Sequence, residues 1–181
     1  MADVILVTGG GRSGKSRYAL ELAESLARKK TYVATCPVLD EELRDRIRRH
    51  QRERLARNWE TVEETVALEG VLSSSRSDVV LVDCLTLWVN NLMYEAERRN
   101  EELNEDAVAA RAQELLDACR KRTGIVIFVT NEVGMGIMPE NALARKYRDL
   151  AGRCNQVIAA GAGTVTLVVC GVPLHLKKES T

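Results

Sequence analysis

The chain has 181 residues, 45% of them hydrophobic, which predicts one domain spanning 1–181 with a substantial core and excludes an intrinsically disordered chain. Its 26 basic and 26 acidic residues cancel, which argues against a general nucleic-acid coat protein. Cys36, Cys84, Cys119, Cys154 and Cys170 are scattered with no C-x-x-C pair, so they read as reduced thiols of a cytoplasmic protein rather than as a metal site or a disulfide framework.

In chain order, the apolar run Val4–Thr8 predicts a buried strand, with no signal peptide before it. It leads into Gly9-Gly10-Gly11-Arg12-Ser13-Gly14-Lys15-Ser16, which has the spacing G-x-x-x-x-G-K-S and opens a helical pattern at about 14–29. Glycines there let backbone N–H groups turn inward, and with the helix N-terminus they hold a polyphosphate. Lys15 is expected to reach the outer phosphates, and the Ser16 hydroxyl to sit on Mg²⁺. Thr31–Thr35 predicts the second strand, and 40–57 a helix.

The stretch Leu43–Arg57 of that helix is crowded with Arg44, Arg46, Arg48, Arg49, Arg52, Arg54 and Arg57, against only Asp45 and Glu53. The plain reading is a solvated face or a nucleic-acid patch. His50 sits in its middle, sharing a face with Leu43, Ile47 and Arg54. A lone histidine on a partly apolar face is ordinarily structural. Here the positive neighbours disfavour imidazolium and would also hold phosphates, so a neutral ring beside a triphosphate could attack phosphorus.

The polar run Ser73–Asp78 predicts a surface connection. Val79–Asp83 is four apolar residues closed by a carboxylate, the pattern of an acid that holds Mg²⁺ directly or through water; the competing reading is a cap of the following helix. Asp83 also interrupts the best candidate for a bilayer span, so no transmembrane segment is expected. Helical patterns follow at 85–99 and 104–122; in the first, Leu87, Trp88, Leu92 and Met93 read as core, with an interface as the alternative. Ile125–Thr130 predicts a fourth strand, ending at Asn131-Glu132, so that Glu132 stands beside Asp83 as a second acid able to bind Mg²⁺, orient a hydroxyl or bond a loop. A helix over 139–161 and the strands Val165–Cys170 and Val172–Leu176 complete the chain. Only Gly171 separates the last two, which predicts an antiparallel hairpin at one edge, with His175 on the surface. Alternation of this kind indicates an α/β fold, a mainly parallel sheet flanked by helices, with ligands at the carboxyl ends of the strands.

Taken together, several blocks resemble one family. They are Val7–Arg17, Tyr32-Val33-Ala34-Thr35, Asp45–His50, Trp59, Thr61, Glu63, Asp83–Val89 with Asn91-Leu92, Thr130–Ile137, Pro139-Glu140-Asn141 and Arg148–Arg153. The family is adenosylcobinamide kinase/adenosylcobinamide-phosphate guanylyltransferase, and the likeness spans nearly the whole chain. The resemblance implies a single RecA-like domain, a homotrimer, and two reactions: phosphorylation of the aminopropanol hydroxyl of adenosylcobinamide, then transfer of GMP from GTP to that phosphate through a guanylylated histidine. His50 matches that histidine, with Arg49 before it where some relatives carry a second one. Gly9 to Ser16 match the family's GTP phosphate loop; Ala34, Thr35, Cys36, Gln51, Arg52, Glu53, Arg54, Glu63, Asp83 and Cys84 match segments that contact GTP. Mg²⁺ is the implied cofactor, and GTP, with ATP as another donor for the kinase step, the co-substrate.

Three rivals stand beside it. A single-activity P-loop kinase would make His50 structural. A RecA-like nucleic-acid-binding module would use the arginine-rich stretch, though 4% aromatic content offers little for base stacking. A GTP-controlled switch would need a guanine-reading Asn-Lys-x-Asp motif, which the sequence lacks.

Overall fold

The computed structural model describes residues 1–37 and 57–178. In chain order they form β1 (Asp3–Thr8), α1 (Lys15–Leu26), β2 (Lys30–Ala34), β3 (Trp59–Glu63), α2 (Leu68–Ser74), β4 (Val79–Asp83), α3 (Leu85–Arg98), α4 (Glu105–Lys121), β5 (Ile125–Val129), a 3-10 turn (Val133–Met135), α5 (Ala142–Gly161), β6 (Thr164–Val169) and β7 (Val172–Lys178). The strands make one seven-stranded sheet in the order β3-β2-β4-β5-β1-β6-β7. Every pairing is parallel except β6 with β7.

Burial explains this order. Val79 to Val82 of β4 and Val126 to Val129 of β5 are fully buried on both faces, as strands without a polar side must be. One face packs against α2, α3, α4 and α5 through Leu72, Trp88, Leu115 and Ile158; the other packs against α1 through Ala19 and Ala23, and carries Tyr32 and Trp59. Trp88 and Leu92 are core, as expected, and the Trp88 indole donates to the Val66 carbonyl at 2.8 Å.

Several expectations are corrected at element ends. The first helix stops at Leu26 rather than 29, because Ala27 is extended. The long helix starts at Ala142 rather than 139, capped by the Asn141 side chain, which accepts from the Ala144 N–H at 3.0 Å. Cys170 leaves the strand expected to contain it: with φ 51° it joins Gly171, φ 80°, in a two-residue hairpin turn of the kind that needs positive φ at both positions. Ser73 and Ser74, expected in a surface connection, close α2, and Ser77 is buried, accepting from Thr31 Oγ1 at 2.8 Å. Strand β3 and helix α2 were not expected. The helix expected at 40–57, except for Arg57, lies outside the described residues.

Candidate active site

The carboxyl ends of five strands stand in one row. Glu63 pairs in register with Ala34, Ala34 with Asp83, Asp83 with Val129, and Val129 with Val7. Just past that row lie Gly9 to Ser16, Thr35 and Cys36, Cys84, and Asn131 with Glu132. Parallel topology therefore gathers residues far apart in sequence along one edge.

The phosphate loop is shaped by its glycines and by the last hairpin. A Cβ on Gly9 would strike the Val168 carbonyl oxygen and approach Ser13 Oγ to 2.7 Å. Gly14, φ 93°, caps α1 in a left-handed conformation without a side-chain cap, and no acid stands in the first helical turn. The positive end of α1 and its unpaired N–H groups are thereby left to an anion. The Gly171 N–H donates to the Ser13 carbonyl at 2.8 Å, which ties the β6–β7 turn to the loop.

Lys15 is 8% exposed and its Nζ donates to the Gly10 carbonyl at 3.0 Å. Burial pushes its ammonium below lysine's ordinary 10.5, while charge on Cys84 and Asp83 would pull it back up. Burial and the neighbouring Asp83 also push the Cys84 thiol above its ordinary 9.0. The thiol thus stays protonated near neutrality, and Asp83 is the charge that supports Lys15.

Asp83 accepts from Ser16 Oγ at 3.4 Å and from the Tyr32 hydroxyl at 2.8 Å. The cap of α3 is Cys84, and no side chain caps that helix, so the capping reading of Asp83 fails. A hydroxyl and a carboxylate converging beside a phosphate loop are hard oxygen donors, which suit Mg²⁺ rather than a thiophilic metal. Among the described residues no cluster of three histidine, cysteine or acidic side chains could hold a metal by itself, so phosphate oxygens or water would complete any such sphere.

Glu132 is held differently. Its Oε1 accepts from Thr8 Oγ1 at 2.5 Å and from Asn155 Nδ2 at 3.3 Å, and its N–H donates to the Gly9 carbonyl at 3.2 Å. Asn155 is buried; it also donates to the Asn131 carbonyl at 3.1 Å and accepts from Thr130 Oγ1 at 2.7 Å. Asn131 Nδ2 donates to Thr86 Oγ1 at 3.2 Å, while Asn131 Oδ1 and Ser13 Oγ are buried without a hydrogen-bond partner among the described residues.

A matching clamp holds the other flank. Asn91 of α3, also buried, donates to the carbonyls of Thr35 at 2.8 Å and Thr65 at 3.0 Å. Thr35 Oγ1 accepts from the Cys84 N–H at 2.7 Å and donates to the Cys84 carbonyl at 2.9 Å.

The structure thus brings together Gly9, Gly10, Gly11, Arg12, Ser13, Gly14, Lys15, Ser16, Ala34, Thr35, Cys36, Glu63, Asp83 and Cys84 at one edge. His50, Gln51, Arg52, Glu53 and Arg54 lie outside the described residues. His175 is an exposed hairpin residue bonded through Nδ1 to Thr166 Oγ1 at 3.0 Å. Sequence reasoning assigned no role to Thr8, Tyr32, Asn91 or Asn155. The signal available for the two asparagines was an amide at an apolar position of a helical pattern.

Known proteins agree with this picture. The profile of the family described as cobinamide kinase / cobinamide phosphate guanyltransferase matches residues 5–176. The chain is 41% identical over 182 aligned residues to the bifunctional adenosylcobalamin biosynthesis protein CobU of Escherichia coli K12, covering 96% of this chain and 99% of that one. It is 42% identical to CobU of Salmonella typhimurium LT2, with the same coverage, and 39% identical to CobP of Pseudomonas aeruginosa PAO1, covering 99% of both chains. Among solved structures it is similar to the RadB recombinase, with TM-score 0.51 and 19% identity over 91% of this chain and 73% of that one, a likeness of fold alone that makes the sheet RecA-like. The chain belongs to the cobinamide kinase / cobinamide phosphate guanyltransferase family and is a bifunctional enzyme of that kind.

Proposed function

We propose that the protein phosphorylates the aminopropanol hydroxyl of adenosylcobinamide and then transfers GMP from GTP to the new phosphate through a guanylylated His50. The products are adenosylcobinamide-GDP and pyrophosphate. The observation that carries the reading is the meeting of Ser16 and Asp83 beside the glycine loop, in a chain whose family performs both transfers.

In the kinase half, the loop N–H groups and Lys15 hold the triphosphate. Ser16 and Asp83 are the ligands for Mg²⁺, which neutralises phosphate charge when bound. The acceptor hydroxyl oxygen forms a bond to the γ-phosphorus, the bond from that phosphorus to the β-phosphate oxygen breaks, and the nucleoside diphosphate leaves. The hydroxyl proton goes to Glu132. Both of its hydrogen bonds fall on Oε1, and among the described residues none reaches Oε2. In the transferase half, an imidazole nitrogen of His50 attacks the α-phosphorus of GTP and pyrophosphate leaves. An oxygen of the acceptor phosphate then attacks the same phosphorus and the P–N bond breaks. Ala34, Thr35, Cys36, Glu63 and Cys84 line the nucleotide side of this site, and Gln51, Arg52, Glu53 and Arg54 are assigned GTP contacts by the family resemblance alone. The working protein is read as a single-domain chain forming a cytoplasmic homotrimer, using GTP for nucleotidyl transfer and GTP or ATP for phosphorylation. No helix among the described residues is long and apolar enough to cross a membrane.

The test is self-labelling. With Mg²⁺ and GTP labelled on the α-phosphate, denatured protein should carry acid-labile, base-stable label that disappears in His50→Ala and falls sharply in Lys15→Ala. A protein that binds GTP yet takes no label would leave the kinase half alone and return His50 to a structural role.

A further inference from the structure

A large cavity bounded by described residues lies apart from the phosphate loop, between α3, α5 and the connection that leads from α3 to α4. Its volume is about 910 Å³. That is near the upper end for small-molecule sites and far more than a nucleoside needs. Its apolar lining includes Met93, Leu103, Leu143 and Ala144. Its polar lining includes Asn90, Tyr94 and four glutamates, Glu95, Glu97, Glu101 and Glu102. Glu95 is paired with Arg98 and Arg99, and Glu102 with Lys146 at 2.9 Å. Neither Glu97 nor Glu101 has an ion-pair partner among the described residues, so the polar lining keeps a net negative charge.

The inner wall joins the active site. Asn91 and Tyr147 both line the cavity. Asn91 reaches from there to the Thr35 carbonyl, and the Tyr147 hydroxyl donates to the Thr86 carbonyl at 3.2 Å. Thr86 in turn accepts from Asn131, next to Glu132. One layer of side chains therefore separates the cavity from the strand ends where phosphate is handled.

We propose that this cavity holds the corrin ring of the acceptor, with the hydroxyl-bearing arm passing over Asn91 and Tyr147 to the strand ends. The placement rests on the functional reading above. The chemistry is complementary. A corrin ring has methyl-covered faces that suit the apolar lining, peripheral amides that suit the asparagine, phenol and carboxylate groups of the polar lining, and a positive charge centred on cobalt that suits Glu97 and Glu101. A second copy of the chain is the competing occupant.

Equilibrium dialysis of full-length protein against cobinamide, read by its visible absorbance, tests the placement. The variants are Leu143→Arg and Ala144→Trp in the apolar lining, and Glu97→Lys with Glu101→Lys among its acids. Leu143 is 66% exposed, so Leu143→Arg is expected to fold even if Ala144→Trp does not. The expected result is corrinoid affinity weakened at least tenfold, with GTP self-labelling unchanged. Corrinoid affinity within twofold of wild type in all folded variants overturns the placement, and a change of oligomeric state in those same variants assigns the face to a second copy. Wild-type protein that binds cobinamide but never phosphorylates it overturns the kinase reading while the dialysis still supports the cavity. Wild-type protein that binds no corrinoid overturns both.

Discussion

Asp83 ends β4 and Glu132 follows the end of its parallel neighbour β5 at the same edge of the sheet, but their surroundings differ. Asp83 is bonded to the phosphate loop itself, through Ser16, and to Tyr32 on the neighbouring strand. Glu132 is bonded away from the loop hydroxyls, to Thr8 on β1 and Asn155 on α5, with both bonds on one oxygen. In the proposed mechanism the carboxylate joined to the Ser16 hydroxyl holds charge in place, and the carboxylate steadied on one oxygen exchanges a proton. Position at a strand end brings an acid to the site, and the partners it meets there set what it can do.

Breaking Asp83 should cost most. Asp83→Ala is expected to lower kcat of the kinase step by about 10³ and to raise the Mg²⁺ concentration needed for half-maximal rate, since electrostatic groups at a transferring phosphoryl act on that scale. A titration of rate against Mg²⁺ separates it from Glu132→Gln, for which kcat should fall by about 10² with the Mg²⁺ requirement unmoved. If both variants shift the Mg²⁺ curve equally, the contrast between the two acids is gone. The clamps come next. Asn155→Leu leaves Thr130, the Asn131 carbonyl and Glu132 short of partners and should destabilise the fold by about 1–3 kcal/mol in urea melts, with Asn91→Leu similar. Tyr32→Phe removes the hydrogen bond to Asp83 and is expected to cost about 0.5–1.5 kcal/mol.

The smallest effect is on pH dependence. Burial lowers the Lys15 pKa, so the alkaline limb of kinase activity should enter below lysine's ordinary 10.5 as the ammonium is lost. Charge on the bound triphosphate favours the ammonium, so the limb should move to higher pH when nucleotide saturates. A limb independent of nucleotide concentration would assign it to another group.

Much of this was legible in the residues. Short runs rich in β-branched residues, such as Val79 to Val82 and Val126 to Val129, bounded by turn signals, point to strands buried on both faces, and the glycine spacing of the loop needs no tertiary information. Strand β3 escaped because Trp-Glu-Thr-Val-Glu is five residues of mixed polarity at an edge, where one side need not be buried. Helix α2 escaped because seven residues ending in serines hold little periodicity. The supporting residues escaped for a different reason. Asn91 and Asn155 earn their burial only from carbonyls and side chains that other elements bring to them, and no local pattern announces such a partner.

The bond from the Gly171 N–H to the Ser13 carbonyl bears on synthesis. Strand β1 pairs with β5 and β6, the loop leans on the β6–β7 turn, and none of these exists while the early part of the chain is being made. A nascent chain therefore carries the motif for nucleotide long before it has a nucleotide site. The loop gains this support only once the β6–β7 hairpin is available to it, so assistance of folding by nucleotide is expected late in the synthesis of this segment rather than when the motif first emerges.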